Sequence, residues 1–186
     1  MVAFLIAAVL PLGVSQAPDF GGKEQAEKMA ALRFLLGEWE GKATYDTPQG
    51  KFETDSYEKV EEKAGGTAMF VTGRHTMKLP NGESRMVHDA AALIRYDTGR
   101  KAYRMRAQIA SGASEELDVT VVPKGVRWEV VSTAGTMRYT MNLTAAGEWH
   151  EIGEAKVGDG WRKVIDMRLK PKPTHLLGGA ASKARD

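Results

Sequence analysis

The chain has 186 residues, of which 26 are basic and 24 acidic, and it contains no cysteine. This length suits one domain, and the lack of cysteine excludes disulfides, thiolate metal ligands and thiol nucleophiles. Acidic and basic residues are interspersed and no basic stripe with aromatic residues occurs, so the sequence predicts no nucleic-acid partner.

The N-terminal segment is apolar, and residues 2–18 carry no charged side chain. The apolar run 2–12 is short for a bilayer span but suits the apolar region of a secretory signal. Small residues precede two possible cleavage points, after Ser15 and after Ala17. We therefore expect residues 1–17 to be a signal peptide and the mature protein to be periplasmic or secreted, without an integral membrane span. A buried N-terminal helix is the alternative.

The chain after this segment divides into one helix and a long strand region. Residues 18–36 form a predicted linker and helix, because apolar residues recur at helical spacing over 23–36. After Gly37 the apolar period becomes two and stays so to residue 170. Turn residues divide this region into ten predicted strands: 38–46, 51–61, 67–78, 84–96, 101–110, 115–122, 126–133, 136–144, 148–157 and 161–170.

These elements predict an all-β fold, a ten-stranded antiparallel up-and-down barrel over residues 37–170 with a short N-terminal helix. No helical stretch between strands is long enough for a parallel crossover, and barrel closure removes the two exposed edges of an open sheet. The tail, 171–186, has little apolar content, and we expect it to be flexible.

Two-residue turns predict which residues face each other across the hairpins. The turn residues are taken to be Asn81–Gly82, Thr98–Gly99, Lys124–Gly125, Ala134–Gly135 and Ala146–Gly147. The resulting pairs are His75 with His88, Met77 with Met86, Ile94 with Tyr103, Val119 with Val130, Val121 with Trp128, Trp128 with Met141, and Leu143 with His150. Most of these pairs join apolar residues, as one register of a half-buried sheet requires.

In this register the inner face of the barrel is apolar and rich in methionine, while the outer face is charged. Such an outer face does not suit a lipid-facing barrel. Flexible methionines suit a lining that adapts to a ligand, although they can equally fill a closed core. The predicted ligand-binding residues on this face are Met69, Met77, Met86, Tyr103, Met105, Trp128, Tyr139, Met141, Ile165 and Met167.

Three histidines share the predicted inward phase. His75 and His88 lie opposite each other across one hairpin, and His150 lies in phase with Ile165 and Met167. They could anchor a polar group of a ligand, or contact a metal or haem; alternatively, His75 and His88 form a hydrogen-bonded pair near the rim. No metal site is predicted, because strand pairing alone does not supply further ligands at fixed geometry.

The segment FLLGEWEGKATY (34–45) places Gly37-Glu38-Trp39 at the first strand, directly after the helix. This resembles the Gly-X-Trp start of calycin barrels, which include lipocalins, fatty-acid-binding proteins and nitrobindins. Residues 32–170 also resemble an uncharacterised bacterial lipocalin-like family, through LLGEWEG, IRYDTGRKAY (94–103) and GDGWRKVIDMRLK (158–170). The lipocalin resemblance implies that Trp39 closes the barrel base against a late arginine, either Arg162 or Arg168.

The resemblance leaves three functions open. The first is an exported barrel that binds or carries a small, largely apolar ligand, with no cofactor. The second is a haem protein handling nitric oxide species, as the nitrobindin resemblance implies; nitrobindins bind haem through a histidine that opens the last strand, where this chain has Gly160-Trp161-Arg162. The third is a filled barrel acting as an interaction module. We do not predict an enzyme, because no Ser-His-Asp order, phosphate loop or HExxH motif occurs.

Overall fold

The computed structural model describes residues 22–173. The predicted signal peptide, 1–17, and the tail beyond residue 173 lie outside this range. A short helix α1 (Lys23–Met29) continues into a 3-10 turn (Ala30–Leu35), and a second 3-10 turn (Ala64–Gly66) follows the second strand. The ten strands are β1 Gly37–Thr47, β2 Gly50–Lys63, β3 Ala68–Lys78, β4 Ser84–Asp97, β5 Ala102–Ile109, β6 Ser114–Val122, β7 Gly125–Ser132, β8 Gly135–Leu143, β9 Trp149–Val157 and β10 Gly160–Pro171.

The strands form one closed antiparallel barrel. Each strand pairs with its neighbours in sequence, and β1 pairs with β10 to complete the ring. The prediction of a ten-stranded antiparallel barrel with a short N-terminal helix is therefore confirmed. Within residues 22–173, no helix has the length and apolar character needed to cross a bilayer.

One end of the barrel is closed by Trp39 and by the residues that precede β1. The Trp39 indole is 5 % exposed, and its Nε1–H donates a hydrogen bond of 3.0 Å to the carbonyl oxygen of Leu35. The ring packs on Trp149, with ring centroids 5.8 Å apart. Met29 and Leu32, from α1 and the 3-10 turn, are also buried in this cluster. The N-terminal helix is thus the lid of the closed end.

The expected arginine partner of Trp39 is not found. Arg168 pairs with Lys42 on β1 and points to the outer face, where its side chain is 58 % exposed. Arg162 lies near the start of β10, whereas Trp39 pairs with Pro171 at the end of that strand. The prediction that either arginine closes the base is therefore wrong. A second tryptophan on β9, Trp149, has this role because β9 begins at the closed end.

Several hairpin registers differ from prediction by two residues. Ile94 faces Met105 rather than Tyr103, and Val119 faces Trp128 rather than Val130. Trp128 faces Tyr139 rather than Met141. In the first two hairpins Lys101 and Lys124 adopt positive φ, so the turn lies after or before the expected glycine. The third turns at Thr133–Ala134, because Ser132 pairs with Gly135. A shift of two keeps every side chain on its predicted face.

The β3–β4 hairpin has a three-residue loop instead of the expected two. The amide of Gly82, at φ 86°, donates to the carbonyl oxygen of Leu79, and the extra residue is offset by a bulge beyond His75. His75 therefore faces His88 as predicted. Met77 and Met86 do not face each other, because Met86 opposes Thr76 and is 47 % exposed on the outer side.

The β8–β9 loop is one residue longer than predicted. Gly147 has φ 74° and its amide donates to Thr144, so Leu143 pairs with Trp149 and Asn142 pairs with His150. A slip of one residue turns the whole strand over. His150 consequently faces outward, where it lies 3.0 Å from the Asp166 carboxylate. The inward prediction for His150 is wrong, and Glu151 takes its place in the lumen.

Candidate functional site

The half of the lumen away from Trp39 is lined partly by small residues. Ala90, Ala92 and Ala107 share the inner face of β4 and β5, and all three are only half-buried, unlike the residues of the closed end. Because alanine fills little of the space inside a ten-stranded barrel, this wall leaves room in the lumen. The polar side chains described next begin directly beside the closed end, since Glu58 is the cross-strand partner of Trp39.

A hydrogen-bonded chain of three side chains crosses the strands β1, β2 and β3 inside the lumen. The Tyr45 hydroxyl lies 2.6 Å from Nδ1 of His75, and Nε2 of the same ring lies 3.1 Å from Oε1 of Glu58. A neutral imidazole carries one N–H, so hydrogen-bond donation runs in one direction at a time through the three side chains, either from Tyr45 to Glu58 or from Glu58 to Tyr45. His75 is therefore fixed at both ring nitrogens.

Glycine at position 73 makes room for the Glu58 carboxylate. Gly73 pairs with Glu58 across β2 and β3, and a Cβ atom there would lie 2.6 Å from Glu58 Oε1. Any larger residue would force the carboxylate away from His75. The close approach is a reason for glycine at an interior strand position.

A second carboxylate, that of half-buried Glu151, faces the same lumen from β9. Its Oε2 accepts a hydrogen bond of 3.2 Å from Trp149 Nε1. Burial raises the pKa of both Glu58 and Glu151 to about 8, and the neighbouring Glu58 charge contributes to the rise at Glu151. Two nearby carboxyl groups in a poorly solvated space resist ionisation together. Both are therefore largely protonated at neutral pH.

The other titratable lumen groups are also held neutral. Burial lowers the pKa of His75 to about 4, and burial together with the His75 charge lowers the pKa of His88. The two imidazole rings lie 4.9 Å apart. Burial and the Glu151 charge raise the pKa of Tyr139 to about 12. These lumen groups thus carry little charge near pH 7.

Several polar atoms of this cluster lack a protein partner but border open space. Among the described residues, hydrogen bonds reach neither Glu58 Oε2, Glu151 Oε1, the Tyr139 hydroxyl nor the His88 ring. The one buried side-chain atom without a partner in that range is Nε of Arg104, which lies outside this cluster. The unpaired lumen atoms are therefore accessible from the lumen, and they can bond a ligand.

A cleft of about 660 Å³ lies between β6 and β7. These strands are joined by only four residue pairs, from Val119–Trp128 to Val122–Gly125, so they separate beyond Trp128. The cleft is lined by inward-facing Leu117 and Trp128 and by charged residues of the outer face, among them Asp118 and Arg127. Trp128 in turn stacks on Tyr139, with centroids 5.3 Å apart. This tryptophan thus borders both the cleft and the lumen.

Most of the predicted lining residues lie inside the barrel. Tyr103 is at the closed end, where its hydroxyl donates to the Lys28 carbonyl oxygen at 2.8 Å. Met77 lies near the rim opposite Arg85. His150 and Met86 lie outside. The predicted residues whose strand phase faces the lumen are Met69, His75, Met77, His88, Tyr103, Met105, Trp128, Tyr139, Met141, Ile165 and Met167.

Three residues of the cluster were missed in the sequence. Tyr45 and Glu58 lie in phase with Ala43 and Val60 on β1 and β2, so the alternation could have identified them. They were missed because inner-face residues were assigned only from the third predicted strand onwards, beginning with Met69. Glu151 was hidden by the slip at Gly147.

Comparison with known proteins gives the fold. No protein-family model matches the chain, and no curated protein matches it. Among solved structures, the crystal structure of Rv2717c from M. tuberculosis is similar, with a TM-score of 0.56, 16 % sequence identity, and coverage of 78 % of this chain and 97 % of that chain. At this identity the likeness supports a common barrel fold alone.

Proposed function

We propose that this protein is a calycin-type, lipocalin-like barrel that binds or carries a small molecule with a largely apolar body. The observation that carries the proposal is the set of partnerless polar atoms on Glu58, Glu151, Tyr139 and His88, which border open space beside the apolar lining residues of the lumen. Ligand pockets are typically apolar with a few polar groups that fix orientation. A filled barrel that serves only as an interaction module gives no reason for this arrangement.

The cleft between β6 and β7 is the proposed access route. It joins the outer surface to Trp128, which contacts the lumen through Tyr139. The opposite closed end is sealed by Trp39, Trp149 and the helix. A ligand entering beside Trp128 would reach the polar cluster without unfolding the lid.

The haem alternative receives less support. A haem-binding histidine needs a ring nitrogen free to bind iron. Both ring nitrogens of His75 are engaged, by Tyr45 and Glu58, and His150 lies on the outer face. Of the three predicted histidines only His88, on β4 and not on the last strand, has an unbonded ring that faces the lumen. An absorbance spectrum of the purified protein separates the two functions, because bound haem gives an intense Soret absorption band.

Filling the lumen should weaken the binding of an apolar probe. We expect N-phenyl-1-naphthylamine to become fluorescent on binding, and Ala92→Phe to weaken its binding by about tenfold or more, because the ring occupies the space beside the cluster. The matched control is Ala91→Phe, on the adjacent outward position opposite Thr72. Equal binding by both variants, or no binding by the native protein, would reject a lumen site.

Export is proposed from the uncharged N-terminal segment. Expression in the native host should give a mature protein that lacks the leader, cut after Ser15 or Ala17. Intact-mass analysis measures this directly. Recovery of the protein with residues 1–15 retained would count against export.

A further inference from the structure

Among residues 22–173, the deep lumen contains two carboxyl groups and no basic side chain of lysine or arginine. Arg85 and Arg162 are in lumen phase only near the rim, where both are exposed. The acid Glu115 is also in lumen phase near the rim, at the start of β6, where it is half-buried. On the outer face, by contrast, acids lie beside bases, as in Arg138–Glu154 at 2.8 Å. The titratable groups that face Glu58 and Glu151 in the described lumen are Tyr45 from β1, His75 from β3, His88 from β4 and Tyr139 from β8.

Aromatic rings lie among these acids. Trp128 and Tyr139 are stacked with an interplanar angle of 10°, and Tyr45 is stacked on Phe52 at a centroid distance of 4.9 Å. The face of an aromatic ring attracts cations, most strongly where water is excluded. Acids without a counter-charge and aromatic faces therefore favour the same kind of ligand group.

We propose that the lumen selects ligands that carry a protonated amine on an apolar body, with the ammonium held between Glu58 and Glu151. An ammonium has three donors and no acceptor, which suits the free oxygens Glu58 Oε2 and Glu151 Oε1 and the hydroxyl of Tyr139. The amine supplies the positive charge that the lumen lacks, and the apolar body lies along the alanine-lined wall. This inference rests on the proposed function and deepens it by naming the ligand class.

Binding of such a ligand is linked to proton release. Without ligand, both carboxyl groups are largely protonated below about pH 8. An ammonium favours the ionised carboxylate, so binding displaces a proton. Affinity for the amine then rises with pH by up to about tenfold per unit for each displaced proton, until the carboxyl groups ionise by themselves. Protonation of His75 does not change this pH dependence between pH 6.5 and 8.5, because burial lowers its pKa to about 4 and the ring stays neutral there.

The test compares three probes of similar size, 2-phenylethylamine, 2-phenylethanol and phenylacetate, by calorimetry at pH 6.5 and 8.5. We expect the amine to bind about tenfold or more tightly than the alcohol at pH 8.5, the range given by hydrogen bonds to charged groups. Its advantage should shrink at pH 6.5, and phenylacetate should bind weakest. If the alcohol or the acid binds as tightly as the amine at pH 8.5, the inference is rejected.

Variants locate the effect. Glu151→Gln should lose about tenfold or more in amine affinity and much of the pH dependence, while alcohol binding stays. The matched control is Glu154→Gln, on the same strand but on the outer face, where Glu154 contacts Arg138. It should change neither the amine affinity nor its pH dependence. Glu58→Gln is the second lumen variant. If the native protein binds N-phenyl-1-naphthylamine but does not bind 2-phenylethylamine more tightly than 2-phenylethanol, only this inference is rejected. If the native protein does not bind the dye at all, the proposed function itself is rejected.

Discussion

Replacing Trp39 with alanine is expected to lower the free energy of unfolding by about 3–5 kcal/mol. The indole is 5 % exposed, packs on Trp149 and donates a hydrogen bond to Leu35. Its removal leaves a cavity under the helix and frees a buried carbonyl oxygen. Urea unfolding of native and variant protein, followed by circular dichroism, measures the difference.

Trp161→Ala is the matched control for this experiment. Trp161 is half-buried on the outside of the barrel, where the Arg138 guanidinium lies 4.1 Å from its ring. An exposed cation–π contact is worth about 0.5–1 kcal/mol, so this variant should lose much less stability. Equal losses in the two variants would show that Trp39 does not seal the barrel.

Glu151→Gln is expected to make the protein more stable at alkaline pH. The folded pKa of Glu58 and Glu151 is raised from 4.5 to about 8. A raised carboxyl pKa stabilises the fold fully below the unfolded pKa, and this contribution is lost as pH rises through the folded pKa. At about 1.4 kcal/mol per pKa unit, the native protein should lose on the order of 2 kcal/mol per carboxyl group between pH 6.5 and 8.5.

The variant should show about half of that loss, because glutamine keeps an acceptor for Trp149 Nε1 but does not ionise. The window begins at pH 6.5 because the histidines act in the opposite direction. The folded pKa of His75 is lowered to about 4, so its contribution is present above its unfolded value of 6.5 and is lost as pH falls. Urea unfolding at the two pH values checks the slope; identical slopes in native protein and variant would show that Glu151 is not buried as an acid.

The barrel could be predicted from sequence because its strongest signal is local. Alternation of apolar and charged residues predicts ten strands. The connections between them are too short for parallel crossovers, so consecutive strands must pair antiparallel. A register error of two, as at Thr98–Gly99, leaves the inner face intact. The lining residues Trp128, Tyr139 and Met141 were therefore identified although their partners were not.

The polar cluster could not be predicted in the same way. At Gly147, one extra loop residue decides whether His150 or Glu151 faces inward, and the sequence of the loop admits both lengths. The Tyr45–His75–Glu58 chain joins three strands, so its geometry depends on barrel twist as well as on alternation. His75 and His88 were paired correctly only because a three-residue loop and a bulge cancel each other.

The ring closure between β1 and β10 has a consequence for the order of folding. Every other strand pairing joins neighbours in sequence and closes a short loop, whereas this one joins opposite ends of the strand region and includes a further bond from the Lys172 amide to the Glu38 carbonyl. Closing a long loop has the larger entropic cost and slows folding. Hairpins should therefore form first and the β1–β10 seam last, so that a nascent chain exposes two unpaired sheet edges until its final strand is available.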